Sequence, residues 1–373
     1  MRILLIGNYP PDRQESMLRY AALLERELTA RGHAVRLLQP EPIVARSRSV
    51  AGGLGKWLAY IDKFILFPFT LRREIAGFDV VHICDHSNSM YVRHLGRHPN
   101  VVTCHDVLAI ASALGEVPEN AVSATGRKLQ QLILSGLKAA QYVVCVSTVS
   151  RTEMLRVTGR PAETSAVVYN SLSYPYSPMP RDEAIARLDG LGFDARTPFF
   201  LHVGAATWYK NRLGLIQIFD HLQQSMPSRL LLVGGAIEPE LAAAIHGAGL
   251  DARVAHMAGL SNEALRAVYS LAEALIFPSL QEGFGWPVIE AQACGCPVFA
   301  TNRQPMTELG GDAAIYFDPA DPAAAAAIVA DAMPRRNAIR AAGLENIRRF
   351  SVDNLIDGLL NAYRHVIGQR RRA

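Results

Sequence analysis

The sequence predicts an α/β protein built from two doubly wound parallel sheets, and three observations predict it. Short β-branched runs alternate with helical patterns along the whole chain, as in sheets whose parallel strands are joined by helices. The strand runs are apolar throughout, which suits strands covered on both faces. At 373 residues the chain exceeds the usual size of a single core, so two domains are expected.

The first series has strands at 2–7, 34–38, 80–84, 101–104, 142–146 and 166–169. Between the first two, Met17, Ala21, Leu24 and Leu28 recur at helical spacing, and Arg31-Gly32 supplies a basic last turn and a glycine stop. After Asn170 the proline-dense segment 171–180 reads as a linker. A second series follows at 199–203, 230–233, 254–257, 274–277, 297–300 and 314–317. The last helix carries Val352, Leu355, Ile356, Leu359, Leu360, Tyr363, Val366 and Ile367 as one apolar stripe. Its partner cannot be read from periodicity.

Half of the residues are hydrophobic and 19% are charged, with glycine and proline scattered, so the chain folds throughout. The net charge is only +4, and no nucleic-acid partner is expected. Five cysteines are an odd number; Cys84, Cys104 and Cys145 sit in strand runs, which fits a reducing compartment better than a disulfide framework. Cys294 and Cys296 lack a second pair or a histidine at ligand spacing, so they read as buried small hydrophobes and no metal site is expected. The start Met1-Arg2-Ile3-Leu4-Leu5-Ile6-Gly7 is too short for a signal sequence and lacks a cleavage site. No apolar stretch reaches membrane-spanning length, because 57–69 is interrupted by Asp62 and Lys63. The expected location is the cytoplasm.

The stretch richest in chemistry is 277–297. A strand ends at Phe277-Pro278, Gly283 and Gly285 let bare backbone approach a ligand, and Pro287 sits at a helix start. Such a start offers free N–H groups and a positive dipole end to an anion. Glu282 precedes the loop and Glu290 lies about one turn into the helix, so both carboxylates can address one crevice and accept hydrogen bonds from sugar hydroxyls. The bland reading leaves Glu282 solvated and Glu290 complementing the helix dipole. The residues alone leave both open.

This stretch resembles the donor-site motif of the retaining glycosyltransferases of family four, in which E-G-F-G-x-P-x-x-E sets two glutamates eight positions apart, here Glu282 and Glu290. The resemblance continues through 263–279, 297–302 and 308–319 and covers most of the C-terminal half. It implies the GT-B architecture: two Rossmann-like domains facing across a cleft. These would be an acceptor-side domain at 1–174, a nucleotide-sugar donor domain at 175–350, and a last helix at 351–373 packing back on the first. It also implies that Glu290 holds the donor ribose, and that Glu282 and the backbone of Gly283, Phe284 and Gly285 contact the transferred sugar.

By the same resemblance, the loop after Gly204 carries an arginine and then a lysine that neutralise the donor diphosphate. Lys210 fits the lysine position. Ala205 stands where the arginine usually does, and Arg212 is the candidate replacement, against the default of an exposed arginine at a helix start. The strand 101–104 ends in His105-Asp106, which resembles the family's strand-end histidine facing the donor sugar, with Asp106 as a candidate orienter; the alternative is a histidine that merely caps the strand end. His105, Lys210 and Glu282 are thus the catalytic candidates.

In the loop after the first strand, Arg13-Gln14-Glu15-Ser16 replaces the family's usual glycine pair, making Arg13 and Glu15 acceptor-side candidates; the alternatives are a grip on the donor, or only a different loop geometry. Asp85 and His86, after the strand 80–84, are further acceptor-side candidates, with an ordinary polar loop as the equal alternative. The basic and aromatic stretch 46–73 reads as a core helix with a solvated basic face, and leaves peripheral contact with the inner membrane face open. The C-terminal Gln369-Arg-Arg-Arg372 reads as a solvated tail.

The resemblance implies a mannosyltransferase-like enzyme of bacterial polysaccharide or glycoconjugate synthesis. It would move a hexose from a nucleoside-diphosphate sugar, such as a GDP- or UDP-hexose, to a glycan, lipid-linked or small-molecule acceptor with retention. No Asp-x-Asp pair is present, so neither a metal nor a further cofactor is expected. Two rivals are a nucleotide-sugar epimerase, which would turn over donor without acceptor, and a non-catalytic sugar-binding protein, which would not need Lys210 and the paired glutamates. No G-x-G-x-x-G follows either first strand, which disfavours hydride transfer.

Overall fold

The computed structural model describes residues 1–45 and 53–370. The chain divides into two compact units, Met1–Ser173 with Val352–Ala373, and Tyr174–Ser351. Each contains one six-stranded parallel sheet. All twelve strands stand where the apolar runs place them, with ends differing by at most two residues.

In the first unit, β1 (Arg2–Ile6), β2 (Ala34–Leu38), β3 (Val80–Ile83), β4 (Asn100–Cys104), β5 (Tyr142–Cys145) and β6 (Ser165–Val167) run in the order β2-β1-β3-β4-β5-β6. Side chains alternate across the pleat, so Leu4, Ile6, Val81 and Val102 enter one core while Ile3, Leu5, Val80 and Val101 enter another. The second core also takes Tyr20, Ala21, Leu24 and Leu28 of the Glu15–Ala30 helix. The terminal helix Val352–Arg370 supplies Leu355, Ile356, Leu359, Tyr363 and Val366 to the same core. Burying each large apolar side chain is worth about 1.5–3 kcal/mol, so this stripe holds the last helix on the sheet. His82 of β3 pins it further: its ring nitrogens lie 2.7 Å from the Tyr363 hydroxyl and 2.8 Å from Thr103 Oγ1. Burial pushes His82 down to about 3, so the ring is neutral, with one donor and one acceptor nitrogen, both used.

The described part of the stretch 46–73, residues 53–73, is more than a core helix with a basic solvated face. Helical turns run from 53 to 74, with a π-helical segment at Asp62–Leu66. Ala59, Phe67 and Leu71 are buried, as expected, but Trp57, Ile65 and Phe69 are 61%, 52% and 63% exposed. Arg72 and Arg73 are exposed beside them. Asp62 is buried and receives the Tyr9 hydroxyl at 3.1 Å and the Val44 and Ala45 amides at 2.8 and 3.1 Å. Arg46, Arg48, the Lys56 side chain and the tail arginines Arg371 and Arg372 lie outside the described residues. Among the described residues no helix is long and apolar enough to cross a membrane.

In the second unit, β7 (Phe199–Gly204), β8 (Arg229–Gly234), β9 (Val254–Met257), β10 (Ala274–Phe277), β11 (Val298–Thr301) and β12 (Ile315–Phe317) run in the order β12-β11-β10-β7-β8-β9. Phe200, Leu230, Leu232, Ile276 and Phe299 pack against Leu215 and Phe219 of the Arg212–Ser225 helix and Val329 of the Pro322–Ala332 helix. All five cysteines are buried and unpaired, Cys294 and Cys296 among them.

Candidate active site

In an open parallel sheet, ligands bind beyond the carboxyl ends of the strands where the strand order reverses. In the second unit that point lies between β7 and β10, which pair directly. The two following loops are joined there: the Leu280 amide donates to Tyr209 O at 2.7 Å, and the Asn211 amide nitrogen lies 3.3 Å from Pro278 O. Asn211 also caps the Arg212–Ser225 helix by accepting from the Gly214 N–H at 3.3 Å. This stitching brings Lys210 Nζ to 2.6 Å from Glu282 Oε1, with each side chain about 10% exposed. The ammonium also lies 4.8 Å from the centre of the Phe277 ring, a cation–π contact.

Glycine makes the close approach of neighbouring loops feasible. A Cβ on Gly234, whose φ is +123°, would stand 2.3 Å from Gly204 O, and one on Gly235 would stand 2.2 Å from the Ala206 nitrogen. A Cβ on Gly204 would meet Lys210 Cδ at 3.2 Å. Gly285, at φ +109°, caps the Trp286–Ala293 helix, and Pro287 sits within its first two positions. Phe284 is buried, and its ring packs on Trp286 and Phe350. On this helix Glu290 accepts the Tyr269 hydroxyl hydrogen bond at 3.0 Å. Burial first, then the Glu290 charge, raises the Tyr269 phenol well above its usual range, so it stays a donor.

Arg212 is not the exposed helix-start residue that its position suggests. It is buried, its Nη1 donates to Ala236 O at 2.8 Å, and its Nη2 is enclosed without a partner. The guanidinium is therefore turned toward the loop after β8. Ala205 is exposed and brings no charge.

In the first unit the order reverses between β1 and β3. Asn8 Nδ2 donates to Asp85 Oδ2 at 2.6 Å across this point and is also joined to the Gln14 side chain. The Asn88 amide donates to Asn8 Oδ1 at 3.1 Å. Asp85 further accepts the Ser87 amide at 3.0 Å and the Ser87 hydroxyl at 2.6 Å. His86 Nδ1 lies 3.1 Å from Asp85 Oδ1, an ion-pair distance off the hydrogen-bonding line. Burial opposes charge on Asp85, but His86, His105 and Asn8 outweigh it and hold the carboxyl well below its usual range. Burial likewise opposes charge on His86, and Asp85 overcomes it, so His86 is raised above 6.5. Asp85 thus organises the loop with both oxygens engaged. Arg13 and Glu15 are exposed on the flanking loop and helix start.

His105 is buried, and its Nε2 lies 3.0 Å from Cys84 O. A carbonyl only accepts, so Nε2 carries the proton. Burial, outweighing Asp85, lowers the His105 pKa; in the neutral ring Nδ1 is then an acceptor for a hydroxyl. The Tyr20 ring stands edge-on at 5.0 Å. Asp106 does not orient His105: its carboxylate accepts the Leu108 amide at 2.9 Å at the start of the Leu108–Ala113 helix. The orienting group is the Cys84 carbonyl.

The structure therefore joins Lys210 with Glu282 and brings Tyr269 to Glu290 in one unit, and groups Asp85 and His86 with Asn8 and Gln14 in the other. Tyr269, Asn8 and the Cys84 carbonyl were not read from sequence as site groups. Tyr269 lies inside the family-like stretch 263–279, but its partner is distant in the chain.

Comparison with known proteins agrees over most of the chain. The family described as Glycosyl transferases group 1 matches residues 188–346, and that described as Glycosyltransferase Family 4 matches residues 17–173. The O-antigen chain mannosyltransferase B of Escherichia coli is 26% identical over 96% of this chain and 95% of its own length. A D-inositol 3-phosphate glycosyltransferase of Rhodococcus opacus is 30% identical over 71% of this chain, which spans 62% of that protein. Among solved structures, a sucrose-phosphate synthase from Thermosynechococcus elongatus superposes with a TM-score of 0.76 at 19% identity, covering 99% of this chain and 100% of that one. HepE of Anabaena in complex with UDP gives 0.73 at 17% identity, covering 97% and 99%. At these identities the structural likeness speaks for the fold.

Proposed function

The chain belongs to glycosyltransferase family four, with the GT-B fold, and from that premise we propose that it moves a hexosyl group from a nucleoside-diphosphate sugar to an acceptor hydroxyl. The acceptor is a glycan, a lipid-linked glycan or a small molecule, in bacterial polysaccharide or glycoconjugate synthesis. The mannosyltransferase relative that matches nearly end to end favours a mannose-type hexose. The observation that carries the reading is the pairing of Lys210 with Glu282 at 2.6 Å at the switch point of the second sheet, followed in the chain by the Trp286–Ala293 helix, where Tyr269 donates to Glu290.

In this reading the diphosphate takes Lys210 from Glu282. The freed carboxylate accepts a hexose hydroxyl, and Glu290, held by Tyr269, accepts the ribose hydroxyls. Bond breaking puts charge on the departing diphosphate, which Lys210 and the start of the Trp286–Ala293 helix stabilise. The bond from the anomeric carbon to the diphosphate oxygen breaks and a bond to the acceptor oxygen forms on the same face. The acceptor proton passes to the departing phosphate, and configuration is retained. The reaction uses neither a metal nor a further cofactor. His105 Nδ1 accepts from a donor-sugar hydroxyl, Arg212 supports the nucleotide-side loop through Ala236, and Gly204 and the 283–285 backbone admit the ligand.

On the acceptor side, His86 is the binding group, Asp85 sets its charge, and Arg13 and Glu15 flank the entrance. The enzyme works in the cytoplasm, and Trp57, Ile65 and Phe69 beside Arg72 and Arg73 support peripheral contact with an anionic membrane face. Neither rival reading gains a specific observation. The test is transfer from a panel of nucleotide sugars to glycan acceptors, with the product's anomeric configuration read by NMR. Inversion, or a glycosyl adduct trapped on Glu282, overturns the mechanism.

A further inference from the structure

The opposite edge of the second sheet, at the amino ends of β10 and β11, holds a cavity of about 520 Å³. Its walls are Pro178–Arg181, the end of the Asn262–Leu271 helix with Glu273, and the start of the Arg336–Asn346 helix; Gly295 and Pro297 complete the lining. The lining includes three arginines, Arg181, Arg336 and Arg340, and one acidic residue, Glu273. Arg336 Nε is 3.7 Å from Glu273, a long ion pair, and Arg181 donates to Arg196 O at 3.2 Å. Arg340 has no hydrogen-bond or ion-pair partner among the described residues. Its Nε lies 2.7 Å from where a Cβ on Gly295 would be, so this glycine, at φ +69°, lets the guanidinium rest against bare backbone.

We propose that this cavity binds a phosphate-bearing small molecule, at a site distinct from the Lys210–Glu282 loop. Guanidinium groups match phosphate oxygens in pairs. Two helices, Arg181–Leu188 and Arg336–Asn346, begin at the cavity and add positive dipole ends to that charge. The volume lies within the usual range for small-ligand sites, room for a sugar phosphate or a nucleotide. Its occupant also touches the ends of the two helices that carry Tyr269 and Glu290. Ser270 follows Tyr269, and Gly295 follows the helix that carries Glu290, so occupancy bears on the Tyr269–Glu290 pair.

The experiment is a thermal-shift titration of the full chain with inorganic pyrophosphate, against potassium chloride at matched ionic strength. It is run in Lys210→Ala, so that the donor loop does not supply the signal. The proposal predicts a midpoint rise of about 2 °C or more that is lost when Arg336→Gln and Arg340→Gln are added and kept in part by Arg340→Lys alone. A rise matched by potassium chloride, or one that survives the two arginine substitutions, overturns it. Neither result touches the glycosyltransferase reading, which rests on the opposite edge of the sheet.

Discussion

Lys210 and Glu282, 72 residues apart in the chain, meet at 2.6 Å with about a tenth of each side chain exposed. Removing one member strands the other in a site that excludes most water. Lys210→Ala is therefore expected to destabilise the protein by about 3 kcal/mol, while Lys210→Ala with Glu282→Met recovers most of that loss. Denaturant titration of the double-mutant cycle reads both values. Losses that add, with the double variant destabilised by the sum of the two single variants, would show that the pair is not coupled.

Tyr269→Phe removes the hydroxyl that Glu290 accepts at 3.0 Å. A hydrogen bond to a charged group is worth about 1.5–3 kcal/mol, part of which is expected as weaker nucleotide binding. Calorimetry with the cognate nucleoside diphosphate should show affinity falling about 5-fold or more. Unchanged affinity with lowered stability would make Tyr269 purely structural.

The Asp85–His86 pair gives a pH signature. Asp85 is depressed, so its contribution to stability is complete above about pH 4 and fades as pH falls toward its depressed value. His86 is raised, so its contribution is complete below about pH 6.5 and is lost as pH climbs through the raised value. Both are present together in the window between. Titration of the histidine resonances should place His86 above 6.5, and Asp85→Asn should lower it, because burial then outweighs the remaining pull of Asp106. A His86 pKa indifferent to that substitution would contradict the pairing.

The exposed Trp57, Ile65 and Phe69 predict that the protein sediments with vesicles containing anionic phosphatidylglycerol, more weakly as salt rises. Trp57→Ser with Phe69→Ser should abolish sedimentation without lowering the thermal midpoint, since both side chains already face solvent. Equal sedimentation with neutral vesicles and after substitution would remove the membrane face from the account.

All twelve strands were legible because buried parallel strands are written as uninterrupted apolar runs between helical patterns. The Glu282–Glu290 stretch stood out because a glycine loop, a proline and two carboxylates fall in one short segment, but its donor-site reading came from the resemblance to family four. What the sequence did not reveal depends on partners brought together by topology. Tyr269 reaches Glu290 only because adjacent helices pack, and the Cys84 carbonyl orients His105 only because β3 and β4 pair. Asp106 looked like an orienter by adjacency, yet its carboxylate serves the helix that follows. Arg212 looked solvated by position, yet the loop after β8 folds over it. The exposure of Trp57, Ile65 and Phe69 was hidden for the same reason: an apolar residue on a helix reads as core until the other face is seen to be packed.

The most direct test of the donor site is a thermal-shift titration with UDP, GDP, ADP and their common hexose conjugates, comparing the natural protein with Glu290→Ala. Binding to the folded state raises the midpoint. The account predicts a rise selective for one nucleotide, larger with its sugar conjugate, and weakened by the substitution. No rise with any nucleotide, or one that Glu290→Ala leaves intact, would contradict it.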